Sequence, residues 1–250
     1  MPDPGDLVII GGHEDREGDR VILRAIAARL QGRALMVLAA ASSTPDDYLE
    51  LYRGAFADLE VDVLPFSADG DIEQVGGVFM SGGNQNRLMD AVSGTESEEA
   101  LQRLWRSGAV IGGTSAGASV MSDLMMSGGP SSETPTGIDI SLAPGLGLVD
   151  DVIIDQHFAE RGRMGRLITA VERGPHRLGI GIDEDTAAVV SGSELHVIGA
   201  GAVYIVDPAG GTIGARAGQT ASAADLRLHL LSTGDHFDLV TRTATLAQGS

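Results

Sequence analysis

Ser115 stands at the centre of Gly113-Thr114-Ser115-Ala116-Gly117, between the apolar run Ala109-Val110-Ile111 and the helix-compatible Ala118-Ser119-Val120-Met121. The order is strand, sharp turn, helix, with a hydroxyl at the apex. Small residues on either side let the backbone turn tightly and leave the oxygen accessible. The first N–H groups of the helix point back toward the serine, where an oxyanion would form. This is the pattern of a nucleophilic serine, and the chemistry it suits is acyl transfer.

Such a serine needs a base. Of the six histidines, His157 follows the buried-type strand Val152-Ile153-Ile154 among polar residues and is the first candidate. His13, in Gly11-Gly12-His13-Glu14-Asp15, is the runner-up. His196 and His229 fall in strand-like segments and read as ordinary sheet residues. The base in turn needs a carboxylate to orient it and to stabilise the imidazolium. Glu133 is favoured because it produces the chain order serine, acid, histidine; Glu184, which follows another strand, is the alternative. Two N–H donors complete an oxyanion hole: Ala116, next to the serine, and a glycine of Ser81-Gly82-Gly83, taken as Gly83. Arg161, Arg163 and Arg166 form a basic cluster close to His157, and guanidinium groups match carboxylates bidentately. His13, Glu14, Asp15, Asp155 and His157 are all possible metal ligands. None has the H-E-x-x-H spacing or another zinc spacing, so no metal is expected.

The elements that must position these residues alternate. Strands read at Leu7 to Ile10, Ala34 to Ala40, Val61 to Leu64, Gly77 to Met80 and Ala109 to Ile111. Helical spacing runs over Arg20 to Leu30 and again after Thr44-Pro45. Alternating strands and helices predict a parallel sheet with helices on both faces and ligands at the carboxyl ends of its strands. The loops at 11–15, 81–85 and 112–115 should therefore meet on one rim. The stretch from Ser127 to Gly147 reads as an excursion over the sheet. After Thr186 short strands joined by glycine turns predict antiparallel additions, with Leu226 to Leu230 patterned as an edge strand. No linker or repeat interrupts the pattern, so one domain over 1–250 is expected.

Composition narrows the chemistry. The 250 residues can bury one full core. There are no cysteines, and all 17 basic residues are arginine. Cysteine nucleophiles, thiolate metal sites, Schiff-base chemistry and a P-loop lysine are thereby excluded. The net charge of −18 disfavours nucleic acid and anionic membranes and suits a cationic substrate. No apolar run reaches membrane-spanning length. The acidic Met1-Pro2-Asp3-Pro4-Gly5-Asp6 lacks the basic region of a secretory signal, so a cytoplasmic protein is expected.

At five ordered segments the chain resembles the cyanophycinases, members of a serine peptidase family that also contains aspartyl dipeptidases. The segments are Gly11-Gly12-His13-Glu14-Asp15-Arg16, Ser81-Gly82-Gly83-Asn84-Gln85, Gly113 to Ser122, Asp155-Gln156-His157-Phe158 with the three arginines, and Gly179 to Glu184. The resemblance runs from Ile9 to about Val190. It implies a flavodoxin-like three-layer α/β sandwich with a mainly parallel sheet, similar to class I glutamine amidotransferases but with serine as nucleophile. It implies Ser115 as nucleophile, His157 as base and Glu133, with Glu184 still open, as acid. It places Gln85, Asp155, Gln156, Arg161, Arg163 and Arg166 around the substrate. It implies no cofactor, a homodimer, and cyanophycin as substrate: a polyaspartate backbone carrying arginine on each β-carboxyl, released as β-Asp-Arg dipeptides. The segment from Ser127 to Gly137 and everything after Val190 match less clearly, and could set specificity. An aspartyl or isoaspartyl dipeptidase, a non-catalytic binding protein of this fold and a metal-dependent amidohydrolase are the alternative readings.

Overall fold

The computed structural model describes residues 3–71, 73–134, 140–174, 176–214 and 222–248. Five strands, β1 (Leu7–Ile10), β2 (Ala34–Leu38), β3 (Val63–Pro65), β4 (Val75–Met80) and β5 (Val110–Thr114), run parallel in the order β3-β2-β4-β5-β1. All are short and almost wholly apolar; β1, β2, β4 and β5 are covered on both faces, whereas the edge strand β3 exposes Leu64 and Pro65. The alternation within β1 shows the division. Leu7 and Ile9 enter one core and Val8 and Ile10 the other. Helices α1 (Val21–Arg29) and α2 (Pro45–Phe56) close the second core with Ile22, Leu23, Ile26, Tyr52 and Phe56. Helices α3 (Gln85–Val92), α4 (Glu96–Arg106) and the short α5 (Ala116–Ser119) close the first.

Strands β6 (Leu124–Gly128) and β7 (Ser141–Pro144) form an antiparallel pair. They bracket the excursion expected from Ser127; its residues 135–139 lie outside those described, as do the first two residues of the chain. Strands β8 (Val152–Gln156) and β9 (Leu178–Ile182) are parallel neighbours. They do not extend the first sheet, however. They belong to a second one, whose outer face carries α6 (Met164–Arg173) and whose inner face packs into the first core.

The antiparallel additions follow. β10 (Thr186–Ser191) pairs with β1, and β11 (Glu194–Gly199) with β10. β12 (Val203–Asp207) joins β9. β13 (Thr212–Gly214) and β14 (Ser222–Ala224) pair with each other. β15 (Arg227–Leu231) is the edge of the second sheet beside β12, as the alternating pattern predicted; its Leu228 and Leu230 are exposed. β16 (His236–Asp238) and β17 (Thr243–Thr245) extend the first sheet beyond β11. No helix among the described residues is long and apolar enough to cross a membrane.

Candidate active site

The carboxyl ends of β1, β4, β5, β8 and β9 converge. β5 runs through Gly112-Gly113-Thr114, so the turn is confined to Ser115, whose φ of 52° and ψ of −105° lie far from any helix or strand. Ser115 is thus held in a sparsely populated region of backbone conformation. The glycines flanking it serve packing rather than turning. A Cβ on Gly113 would fall 2.4 Å from the Gly117 carbonyl oxygen, and one on Gly117 would fall 2.3 Å from that of Met80. Only hydrogen atoms at both positions let α5 lie directly against β4 and β5. The Ser115 amide donates to the carbonyl of Ile10 at 3.0 Å, which fixes the turn to the end of β1.

The half-buried Ser115 Oγ lies 3.0 Å from Nε2 of His157. His157 is itself held by its amide, which donates to Gly11 O at 2.8 Å. On the other side of the ring, Nδ1 donates to Glu184 Oε1 at 2.6 Å. Serine, imidazole and carboxylate thus form one hydrogen-bonded chain. Burial holds His157 below the ordinary histidine value, against the opposing pull of Glu184 and with help from nearby Arg161. The imidazole is therefore neutral near pH 7 and able to accept a proton. Burial alone would raise Glu184, but its bonds from His157 and His13 prevail and hold it below the ordinary glutamate value.

The carboxylate on His157 is Glu184, and the expectation of Glu133 from chain order is corrected in that respect. Glu133 is exposed and lies over the turn after His157: a Cβ on Gly162 would come within 2.7 Å of its Cγ. Among the described residues it has no bond to the imidazole. Glu184 wins the place because β8 and β9 are parallel neighbours with Gln156 opposite Ile182. The residues just past the two strand ends therefore emerge side by side. His13 also reaches Glu184, its Nδ1 lying 2.9 Å from Oε2, with its ring edge-on to that of His157 at 5.1 Å between centroids. The nearest ring nitrogens and carboxylate oxygen of His13, His157 and Glu184 lie within 4.8 Å of one another.

The other expected residues sort by geometry. Gly82 comes to the serine: a Cβ there would sit 3.6 Å from that of Ser115. Gly83, at a φ of 139°, turns its α-carbon toward Ala41. Neither amide of this pair donates to another group among the described residues. Gln85 Nε2 donates to Met126 O at 3.0 Å, tying α3 to β6. Asp155 is fully buried and receives Arg163 Nη1 at 3.0 Å and Arg166 Nε and Nη2 at 2.9 Å each. Arg163 Nη1 also donates to Gln156 Oε1 at 3.0 Å, and burial lowers this guanidinium to about 10, still protonated at neutral pH. Asp155, Gln156, Arg163 and Arg166 are therefore one internal network beneath the turn that carries His157. Arg161 differs from them. It precedes α6 and is exposed; its amide donates to His157 O at 3.2 Å, but its guanidinium has no hydrogen-bonded partner among the described residues.

One network had no sequence signal beyond its motif. Buried Glu14 accepts the Thr114 hydroxyl and the Tyr52 hydroxyl, each at 2.6 Å. It links the loop after β1 to the residue preceding Ser115.

An α/β fold that presents a serine, a histidine and a carboxylate in hydrogen-bonded order has the arrangement of a serine-type hydrolase. The family comparison agrees: the model of peptidase family S51 matches residues 7–198, and the chain belongs to that family of serine-type peptidases. A protein named cyanophycinase from Synechococcus elongatus is 39% identical over 95% of this chain and 80% of its own. One so named from Nostoc sp. is 40% identical, over 95% and 86%. That of Geminocystis herdmanii is 37% identical over 94% of both chains. Among solved structures, a peptidase from an acI-B1 Actinobacterium superposes with a TM-score of 0.68 at 19% identity, covering 94% of this chain and 97% of its own. A peptidase E-like protein from Listeria monocytogenes gives 0.56 at 16% identity over 79% and 99%. These two likenesses establish the mixed α/β fold, a large partly parallel sheet with antiparallel additions.

Proposed function

We propose that the chain is a metal-independent serine exopeptidase that degrades cyanophycin to β-Asp-Arg dipeptides. The observation that carries this reading is the unbroken chain from Ser115 Oγ through His157 to Glu184, at 3.0 and 2.6 Å, in a protein whose full-length relatives are named cyanophycinases. Ser115 attacks the carbonyl that joins one aspartyl unit to the next, and its proton passes to His157 Nε2. Glu184, rather than Glu133, orients the ring and offsets the imidazolium charge. The amides of Ala116 and of Gly83, with Gly82 adjacent, receive the oxyanion. His157 returns the proton to the leaving amine, and water then hydrolyses the ester.

Arg161 is the arginine assigned to a substrate carboxylate, because Arg163 and Arg166 already share Asp155. Gln85, Asp155 and Gln156 act from behind, holding β6 and the His157 turn. The net charge of −18 complements the guanidinium groups of the polymer and raises its local concentration. The chain is further read as one peptidase domain, acting in the cytoplasm as a homodimer. Light scattering on the purified protein tests the dimer, and a fluorescent fusion tests the compartment.

The deciding experiment incubates the protein with insoluble cyanophycin and, separately, with short Asp-Xaa and isoAsp-Xaa peptides. Release of β-Asp-Arg from the polymer is expected. Turnover of the short peptides alone would make the chain a dipeptidase.

A further inference from the structure

We propose that His13, Glu184 and His157 form a binding site for a borderline transition metal such as Zn2+, and that occupancy of this site switches the peptidase off. Two imidazoles and one glutamate are a donor set that zinc takes in enzymes, whereas calcium and magnesium take oxygen ligands. Here those three donors come from loops after three different strands, yet the separations are already 2.9 Å for His13 to Glu184 and 2.6 Å for His157 to Glu184. Zinc bonds of about 2.0–2.2 Å at tetrahedral angles place ligand atoms about 3.4 Å apart. Those two contacts run to different carboxylate oxygens; with one ligand atom from each residue the donors lie within 4.8 Å of one another, so no pair need move by more than about 1.4 Å to reach that spacing. His13 can supply that movement and the route in, because its side chain is 68% exposed while that of His157 is 5%. The fourth position is left to water.

The consequence follows from the two ring nitrogens. In the catalytic arrangement Nδ1 of His157 carries the proton donated to Glu184, and the Nε2 lone pair faces Ser115. A metal on Nδ1 needs the lone pair there. The ring proton then sits on Nε2, and an Nε2–H cannot accept the serine proton. Binding needs only this geometry. The inhibition rests in addition on His157 being the base proposed above.

The test separates the two. Zn2+ is titrated calorimetrically into the S115A protein, which keeps all three donors, and into S115A carrying His13→Ala or His13→Gln. One Zn2+ per chain is expected, bound at least about tenfold more weakly in both double variants. In the wild-type protein, histidine-ring nitrogen NMR should show His13 and His157 responding together. In hydrolysis assays Zn2+ should inhibit, EDTA should restore the rate, and Mg2+ should have no effect. Each His13 variant, measured against its own metal-free rate, should need at least about tenfold more Zn2+ for half inhibition. Equal binding with and without His13 overturns the site, and so does Zn2+ perturbing only the His196–His236 pair, whose rings lie 5.8 Å apart. Zn2+ bound at His13 and His157 while hydrolysis proceeds overturns the switch. The calorimetry and NMR remain decisive even if no peptide is hydrolysed.

Discussion

Gly12 lies against the imidazole of His157 so closely that a Cβ on it would fall 2.2 Å from Cε1 and 2.6 Å from Nε2. Its φ of 110° is also one that other residues rarely adopt. Gly12→Ala must therefore displace the ring from its place beside Ser115. A displacement of about 1 Å at a reacting group costs about a hundredfold in rate. We expect kcat to fall by at least that factor with the fold retained, as circular dichroism would report. Unchanged kcat would mean that the His157 position is not critical.

Replacing Ser115 by Ala should lower kcat by about 10^3-fold or more, and Glu184→Gln should also cause a large loss. Glu133→Gln should leave the rate within about twofold of the parent, since its carboxyl lies over Gly162 instead of on the ring. Comparing kcat of the two glutamine variants decides the acid. A larger loss at Glu133 would reverse the assignment.

The pH profile should reflect the burial of His157. Because burial disfavours the imidazolium, the ring stays neutral to lower pH than an exposed histidine. kcat/KM should therefore be flat near neutrality and fall only as pH drops through a value below the ordinary histidine range. The same shift acts on stability. The unfolded chain gains this proton at higher pH than the native one, so stability contributed here is lost as pH falls through the ordinary histidine value. Chelators should not reduce the rate. A midpoint above neutrality would contradict the neutral-base reading.

The three arginines should separate cleanly. Arg161→Gln is expected to raise KM with little change in thermal stability. Arg163→Gln removes a buried partner of Asp155 and should cost on the order of 3 kcal/mol, read as a lowered Tm. A large loss of stability at Arg161 and none at Arg163 would invert these roles.

Much of this protein was legible in its sequence because the signals are local. The apolar run and the small residues at 113–117 mark a sharp strand-to-helix turn with Ser115 at its apex, a pattern readable within a few residues. The parallel strands are recognisable because burial on both faces demands continuous apolar runs. His157 stands out because it directly follows such a run. What lay beyond reach depends on which strand neighbours which. Chain order favoured Glu133, but the register of β8 against β9 places Glu184 beside His157. Nothing in an apolar pentapeptide says whether it joins the first sheet or, as β8 and β9 do, a second. The spacing of Arg161, Arg163 and Arg166 says that they cannot all face one way, but not which of them turns inward. Only the fold, by burying Asp155 between Arg163 and Arg166, leaves Arg161 available for a ligand. Local propensity is written residue by residue. Strand pairing and the partners of buried charges are settled by contacts between residues far apart in the chain, and those exist only once the two sheets have packed.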